Sequence, residues 1–111
     1  MSANFIKHGG IIDFAAPRAV NSGDGALLAT GLFGVALGKF NNGAAGEFAL
    51  RGVYDLTKKA TDAPAAGAVV YWDDTNHYVT VTSTSNTKIG FVERAAANGD
   101  ATCRVVLNGT V

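Results

Sequence analysis

Charge is scarce in this 111-residue chain, and neither sign is in excess. Charged residues make up 16% of the sequence, with nine Lys and Arg against nine Asp and Glu, where about 25% is usual. A neutral chain whose one basic pair is Lys58-Lys59 lacks the cationic face that wins phosphate contacts by counterion release. We therefore expect no nucleic-acid partner. Such sparse charge also indicates that other chains cover part of the surface.

Long apolar runs and cysteine pairs are missing as well. The longest uncharged stretch, residues 25–38, is rich in glycine and shorter than the ~20 apolar residues that cross a bilayer. Residues 1–10 show no secretory signal, and the lone Cys103 has no partner for an internal disulfide, which fits a reducing compartment. The sequence predicts one domain over residues 1–111 and no membrane partner.

Helical periodicity is weak, and apolar residues instead recur at every second position. Residues 47–51, 78–82 and 102–105 alternate in this way, as strands with one buried face do. The best helical candidate, residues 56–66, has no apolar stripe and is interpreted as a loop with at most one helical turn. The prediction is an all-β protein with short strands and glycine-rich turns.

Turn-forming residues divide the chain into strands. Asn42-Gly43 and Asn98-Gly99 each lie between apolar runs and accept the positive φ angles of hairpin turns, and residues 21–25, 73–76 and 84–86 predict further turns. The strands are predicted near residues 4–8, 10–15, 25–30, 32–40, 46–55, 68–73, 77–82, 88–95 and 100–107.

Part of the sequence occurs twice. Residues 33–36, 42–43 and 50–52 match residues 89–92, 98–99 and 107–109 in order and spacing, and upstream residues 25–28 parallel residues 67–70. Two copies are too few for a solenoid. A duplicated β unit that closes into a small jelly roll or β-barrel fits better, because closure removes exposed sheet edges.

Residues that could carry chemistry are few and poorly arranged. The segment 34–40 has three residues between its glycines where a phosphate-binding loop has four, and Phe40 replaces the magnesium-binding hydroxyl. Asp73 and Asp74 are better explained as turn residues. His8, His77 and Cys103 have no metal-ligand spacing. The sequence predicts no catalytic residue, no metal and no cofactor, and therefore a protein that is not an enzyme.

Two aromatic or apolar clusters are candidate contact sites. Tyr71-Trp72 ends a strand and is interpreted either as core packing with a rim aromatic or as an interface anchor. Phe5, Ile6 and Lys7 precede the glycines at positions 9 and 10. Residues 1–10 are interpreted either as an edge strand or as an extended arm that adds to another subunit.

The ordered residues resemble a known family. The resemblance rests on Phe5-Ile6 with Ile12-Asp13, and further on Ala16-Pro17, Val20, Ser22-Gly23-Asp24, Gly34-Val35-Ala36, Tyr71-Trp72-Asp73, Ile89-Gly90-Phe91-Val92, Gly99-Asp100, Arg104-Val105 and Leu107-Asn108-Gly109. In these pieces the chain is similar to short head proteins of tailed bacteriophages, the capsid cement or decoration proteins. Gly9-Gly10 departs from the family pattern, which has a polar or acidic residue beside one glycine.

The resemblance implies a function that composition alone does not. It implies a β-rich subunit made in the host bacterial cytoplasm that binds the major capsid protein on the outside of the phage head, as a homo-oligomer. From the sparse charge and thin core we expect a dimer or trimer. The alternative function is a small β-barrel that binds carbohydrate or another ligand, with Tyr71, Trp72 and Tyr78 as stacking surfaces.

Overall fold

The computed structural model describes residues 10–29 and 31–108, which form nine strands and contain no helix. The strands are β1 (Ile11–Ala15), β2 (Gly25–Ala29), β3 (Leu32–Ala36), β4 (Ala45–Ala49), β5 (Arg51–Thr57), β6 (Val69–Asp73), β7 (Tyr78–Thr80), β8 (Thr87–Val92) and β9 (Thr102–Asn108). The all-β class is confirmed. The strand predicted near residues 4–8 lies outside the described residues.

The strands form two antiparallel sheets. The first has the order β1-β4-β3-β2, and the second, a curled half-barrel, has the order β5-β9-β8-β6-β7. The strand predicted over 46–55 is in fact two strands, because the chain leaves the first sheet at Leu50 and enters the second at Arg51. The segment 56–66, predicted as a loop, contributes its first two residues to β5 and is otherwise irregular.

The predicted duplication is confirmed by the topology. We call β1–β4 the first unit and β5–β9 the second unit. The orders β1-β4-β3-β2 and β5-β9-β8-β6 are the same, and β7 is an addition at the edge of the second. Gly43 and Gly99, both with positive φ, lie at corresponding turns between β3 and β4 and between β8 and β9.

The cross-strand register refines the alignment of the two units. Ala26 pairs with Gly34 in the first unit as Val70 pairs with Gly90 in the second, so residues 33–36 do correspond to 89–92. Upstream, Gly23 N–H donates to Ala36 and Gly67 N–H donates to Val92. Gly67 therefore corresponds to Gly23, and the predicted match of residues 25–28 with 67–70 was two residues out of register.

The two units stack through one face of the first sheet. Phe33 and Val35 point from that face into the core of the second unit, which also contains the inward-facing residues Leu56, Val70, Trp72, Val79, Ile89, Val92, Cys103, Val105 and Leu107. The opposite face of the first sheet has a separate, smaller core of Ala16, Val20, Ala26, Leu28, Ala36 and Phe48. The first unit therefore covers the open side of the half-barrel while keeping a core of its own.

A buried lysine lies where the two edge strands of the half-barrel meet. Lys58 forms a parallel bridge with Val79 just beyond β5, which brings the edge strands β5 and β7 together. The Lys58 side chain is 3% exposed, and its Nζ donates to the backbone oxygens of Lys59 at 2.9 Å, Ala60 at 3.3 Å and Asp62 at 2.5 Å. The three ammonium protons thus hold the loop that follows β5.

Candidate contact surfaces

An apolar row crosses the outer face of the second unit. Val53 pairs with Val106, Val106 with Phe91, and Phe91 with Val69, so four apolar side chains lie side by side on four adjacent strands. Val53, Phe91 and Val69 are 47%, 42% and 43% exposed, and Val106 is half-buried. We call these four residues the outer row. Such a row is a candidate contact surface, because the largest exposed apolar patch on a protein often marks a binding site.

Charged residues border the outer row at one side. Arg104 donates from Nε to Asp55 at 3.3 Å, and its Nη1 lies 3.9 Å from Glu93. All three groups are solvated, so the network adds little to stability. Each of these charged residues lies two positions along the chain from a residue of the outer row. The network therefore forms a polar rim of the kind that surrounds the apolar centre of an interface.

The predicted pair Tyr71-Trp72 is divided between the two faces of β6. Trp72 is 2% exposed, packs against Phe33 with ring centroids 5.0 Å apart, and donates its indole N–H to Asp74. The core-packing interpretation therefore applies to Trp72, and its proposed role as a surface anchor is corrected, because the ring fills the junction between the two units. Tyr71 pairs with Thr80 and is half-buried on the outer face.

The residues of the predicted N-terminal contact, Phe5, Ile6 and Lys7, lie outside the described residues. The described chain begins at Gly10 beside an apolar groove of about 450 Å³ between the two units. The groove is lined by Gly10, Ile11, Leu37, Glu47, Ala49, Arg51 and Tyr54. Ile11 and Leu37 are partly exposed there, which makes the groove a second candidate contact surface.

The stacking surface of the alternative ligand-binding function is not assembled. Tyr71 and Tyr78 share the outer face of the second sheet, whereas Trp72 faces inward. A groove of about 370 Å³ does lie beside Tyr78, with polar neighbours that include Asp73, Asn76 and Asn86. Its aromatic content is one ring, so it lacks the paired aromatic platforms expected from the sequence.

The polar residues considered for chemistry have structural contacts. The Asp73 carboxylate accepts hydrogen bonds from the side chain and backbone of Asn76 and from Thr75 N–H. These bonds, with the Asn76 side chain foremost, lower the pKa of Asp73. Burial raises the pKa of the Cys103 thiol to about 11, so this thiol is protonated at neutral pH and a poor nucleophile.

The described residues form neither a metal-binding cluster nor a membrane-spanning helix. Within residues 10–29 and 31–108, no group of three or more His, Cys, Asp or Glu side chains is placed to hold a metal ion. The same part of the chain contains no helix of the length and hydrophobicity that crossing a bilayer requires.

Comparison with known proteins identifies the family. No curated protein and no solved structure matches the chain. Residues 6–107, however, match the family model described as phage cement protein. The match spans both units and almost the whole length. The chain therefore belongs to the phage cement protein family and is a structural component of a phage particle.

Proposed function

We propose that the protein binds the outer surface of the assembled phage head and stabilises it by bridging neighbouring major capsid subunits. The family match over residues 6–107 carries this proposal. The apolar groove beside Gly10 supports it, because a passive binding protein needs exposed apolar surface and no catalytic group. In this proposal neither nucleic acid nor membrane is a partner, and the protein lies on the outside of the virion.

Bridging explains how a small protein with modest contacts could stabilise a shell. Each subunit that docks on one capsid protein holds its second contact at a high effective concentration next to the neighbouring capsid protein. The combined affinity then exceeds that of either contact. The proposal therefore requires at least two contact surfaces on each copy, and the groove beside Gly10 and the surface around Tyr71 are two candidates.

We assign the arm of residues 1–10 as one capsid contact, through Phe5, Ile6 and Lys7, with Tyr71 as a further contact. The groove beside Gly10 supports the arm assignment, because apolar surface continues directly from the point where the arm joins β1. Full burial of Phe5 and Ile6 would contribute about 1.5–3 kcal/mol each. Loss of both side chains should weaken binding at one site by roughly two to four orders of magnitude.

Binding to undecorated heads tests the proposal. Wild type, the double variant Phe5→Ala with Ile6→Ala, and the control Val81→Ala would be added to such heads. Occupancy and the temperature of DNA release would then be measured. Val81 is an exposed apolar residue just after β7, so it controls for general loss of hydrophobic surface. We expect wild type and control to bind and to raise the release temperature, and the double variant to bind weakly.

Each contrary outcome rejects a different part. Wild type that binds without raising the release temperature would reject stabilisation of the head. A double variant that binds as well as wild type would reject the arm as a contact. A double variant that no longer folds would place Phe5 and Ile6 in the core and support the edge-strand interpretation of residues 1–10.

A further inference from the structure

We propose that copies of this protein associate head to tail, with the outer row of one copy docked on the first unit of the next. The proposal concerns contacts between copies and is independent of binding to a head. It rests on the duplication, because the chain already contains the equivalent contact between its own two units.

The outer row corresponds residue by residue to a row of the first unit that is covered at three of its four positions. Ile11 pairs with Ala49, Ala49 with Val35, and Val35 with Gly25. By the same strand positions, these four residues correspond in that order to Val53, Val106, Phe91 and Val69. Ala49, Val35 and Gly25 are buried, whereas Phe91 and Val69 are exposed and Val106 is half-buried. Ile11, at the edge of the first sheet, is 46% exposed. The first row is therefore covered inside the chain at three of its four positions, and its duplicate is not.

The covering surface of the first row is the open side of the second unit. Val35 lies in the core of the second unit, and a Cβ added at Gly25 would lie 3.1 Å from the Trp72 ring. The contact inside the chain thus joins the outer face of the first unit to the inner face of the second unit. The equivalent contact between two copies needs an apolar partner for the outer row on the inner face of the first unit.

The first unit offers such a partner. Its inner face carries Ile12, Leu32 and Phe40, which are partly buried against the smaller core, and Phe14, which is 36% exposed. We call these four residues the first-unit mouth. Phe14 corresponds by strand position to Leu56, which is fully enclosed in the second unit. The first-unit mouth therefore corresponds to the inner face of the second unit, which packs on the first row, but its side chains are less completely buried.

A contact of this kind joins two different surfaces of the same chain. Such heterologous contacts produce closed rings when the rotation between copies closes, and filaments when it does not. The dimer or trimer expected from the sequence would be a closed form. Each copy would then use its outer row and its mouth once, and both exposed apolar surfaces would be covered.

Sedimentation equilibrium of the full chain provides the first test. The row variant carries Val53→Lys and Phe91→Lys, the mouth variant carries Phe14→Lys, and the control carries Val81→Lys at an apolar residue with exposure equal to that of Phe91. We expect wild type and control to associate. Each surface variant should associate at least about 100-fold more weakly, because an unpaired charge opposes burial in an apolar contact. Near-ultraviolet circular dichroism would establish that each variant is folded, and Phe14→Ala replaces Phe14→Lys if that variant is not.

A mixing experiment distinguishes head-to-tail contact from a symmetric contact between two outer rows. The row variant keeps its mouth, and the mouth variant keeps its outer row. Head-to-tail association therefore predicts that an equimolar mixture forms a dimer although neither variant associates alone. A mixture that stays monomeric would overturn the proposal, as would wild type that is monomeric at roughly 100 µM or a row variant that associates normally.

Discussion

Lys58 offers a sharp test of what holds the second unit together. Its ammonium group is enclosed and donates to three backbone oxygens within residues 59–62. The same residue bridges Val79, and Lys59 N–H donates to Val79 O at 2.8 Å. Replacing Lys58 with Met keeps the aliphatic stem but removes all three donors. We expect the loop to lose its anchor and the junction of β5 and β7 to loosen.

The cost can be worked out from the contacts. A buried acceptor that loses its hydrogen-bond partner costs about 1–3 kcal/mol, and here three backbone oxygens lose theirs. Against this, the variant no longer has to desolvate an ammonium ion, and the oxygens regain some water. We therefore expect Lys58→Met to lower the free energy of unfolding by about 2–4 kcal/mol. With an unfolding entropy of about 2.1 cal/mol/K per residue, the middle of that range corresponds to a Tm decrease of roughly 13 °C.

Chemical denaturation followed by tryptophan fluorescence measures this change, because the protein's one tryptophan, Trp72, is buried in the core of the second unit. The matched control is Lys59→Met, which removes the same charge from the next residue and retains the backbone bond to Val79. We expect the control to change stability by less than about 0.5 kcal/mol. Equal losses in both variants, or a loss below about 1 kcal/mol for Lys58→Met, would refute the assignment of Lys58 as an anchor.

Two further predictions concern the core of the second unit. Gly90→Ala should destabilise the fold by more than about 3 kcal/mol, because a Cβ there would overlap the Val106 carbonyl group on the neighbouring strand. Gly10→Ala, where a Cβ meets nothing within 4 Å, is its control in the same denaturation experiment. Cys103 should react with a thiol reagent only after unfolding. Because its folded pKa of about 11 lies above the ordinary thiol value of 9.0, the native state holds the proton to higher pH, and stability should fall by up to about 2 kcal/mol between pH 9 and 11 relative to Cys103→Ala. A folded protein that reacts rapidly, or an unchanged pH slope in the variant, would contradict this prediction.

Local signals in the sequence were sufficient for most of the described strands and for the existence of the duplication, although not for its upstream register. Apolar residues at every second position indicate a strand with one buried face. An Asn-Gly pair indicates a turn, whichever sheet its flanking strands belong to. Glycine occurs at both position 34 and position 90 for a local reason, because a Cβ at either position would clash with a neighbouring strand. These features depend on residues close in sequence or in the same pair of strands, so the sequence alone could predict them.

Features that depend on how the units pack were not predictable in this way. The sequence pattern shows that Trp72 and Tyr71 face opposite sides of β6, but not which side receives the first unit. Lys58 belongs to a basic pair that is typical of a solvated loop, and its burial follows from closure of the half-barrel. The break at Leu50 carries no turn residue, because the chain passes directly from one sheet to the other.

The differences between the two units follow their different positions in the fold. Gly25 is glycine where the first sheet meets the second unit, and a Cβ there would lie 2.7 Å from Phe33 Cζ and 3.1 Å from Trp72 Cη2. Its counterpart Val69 lies on the open outer row and has room for a side chain. Ile89, the counterpart of Phe33, is turned inward by the irregularity in the pairing of β6 with β8. The outer row therefore has no residue that could penetrate a partner as Phe33 does. A contact made by the outer row must be shallower than the one inside the chain, which suits a surface that binds reversibly and gains strength from repetition.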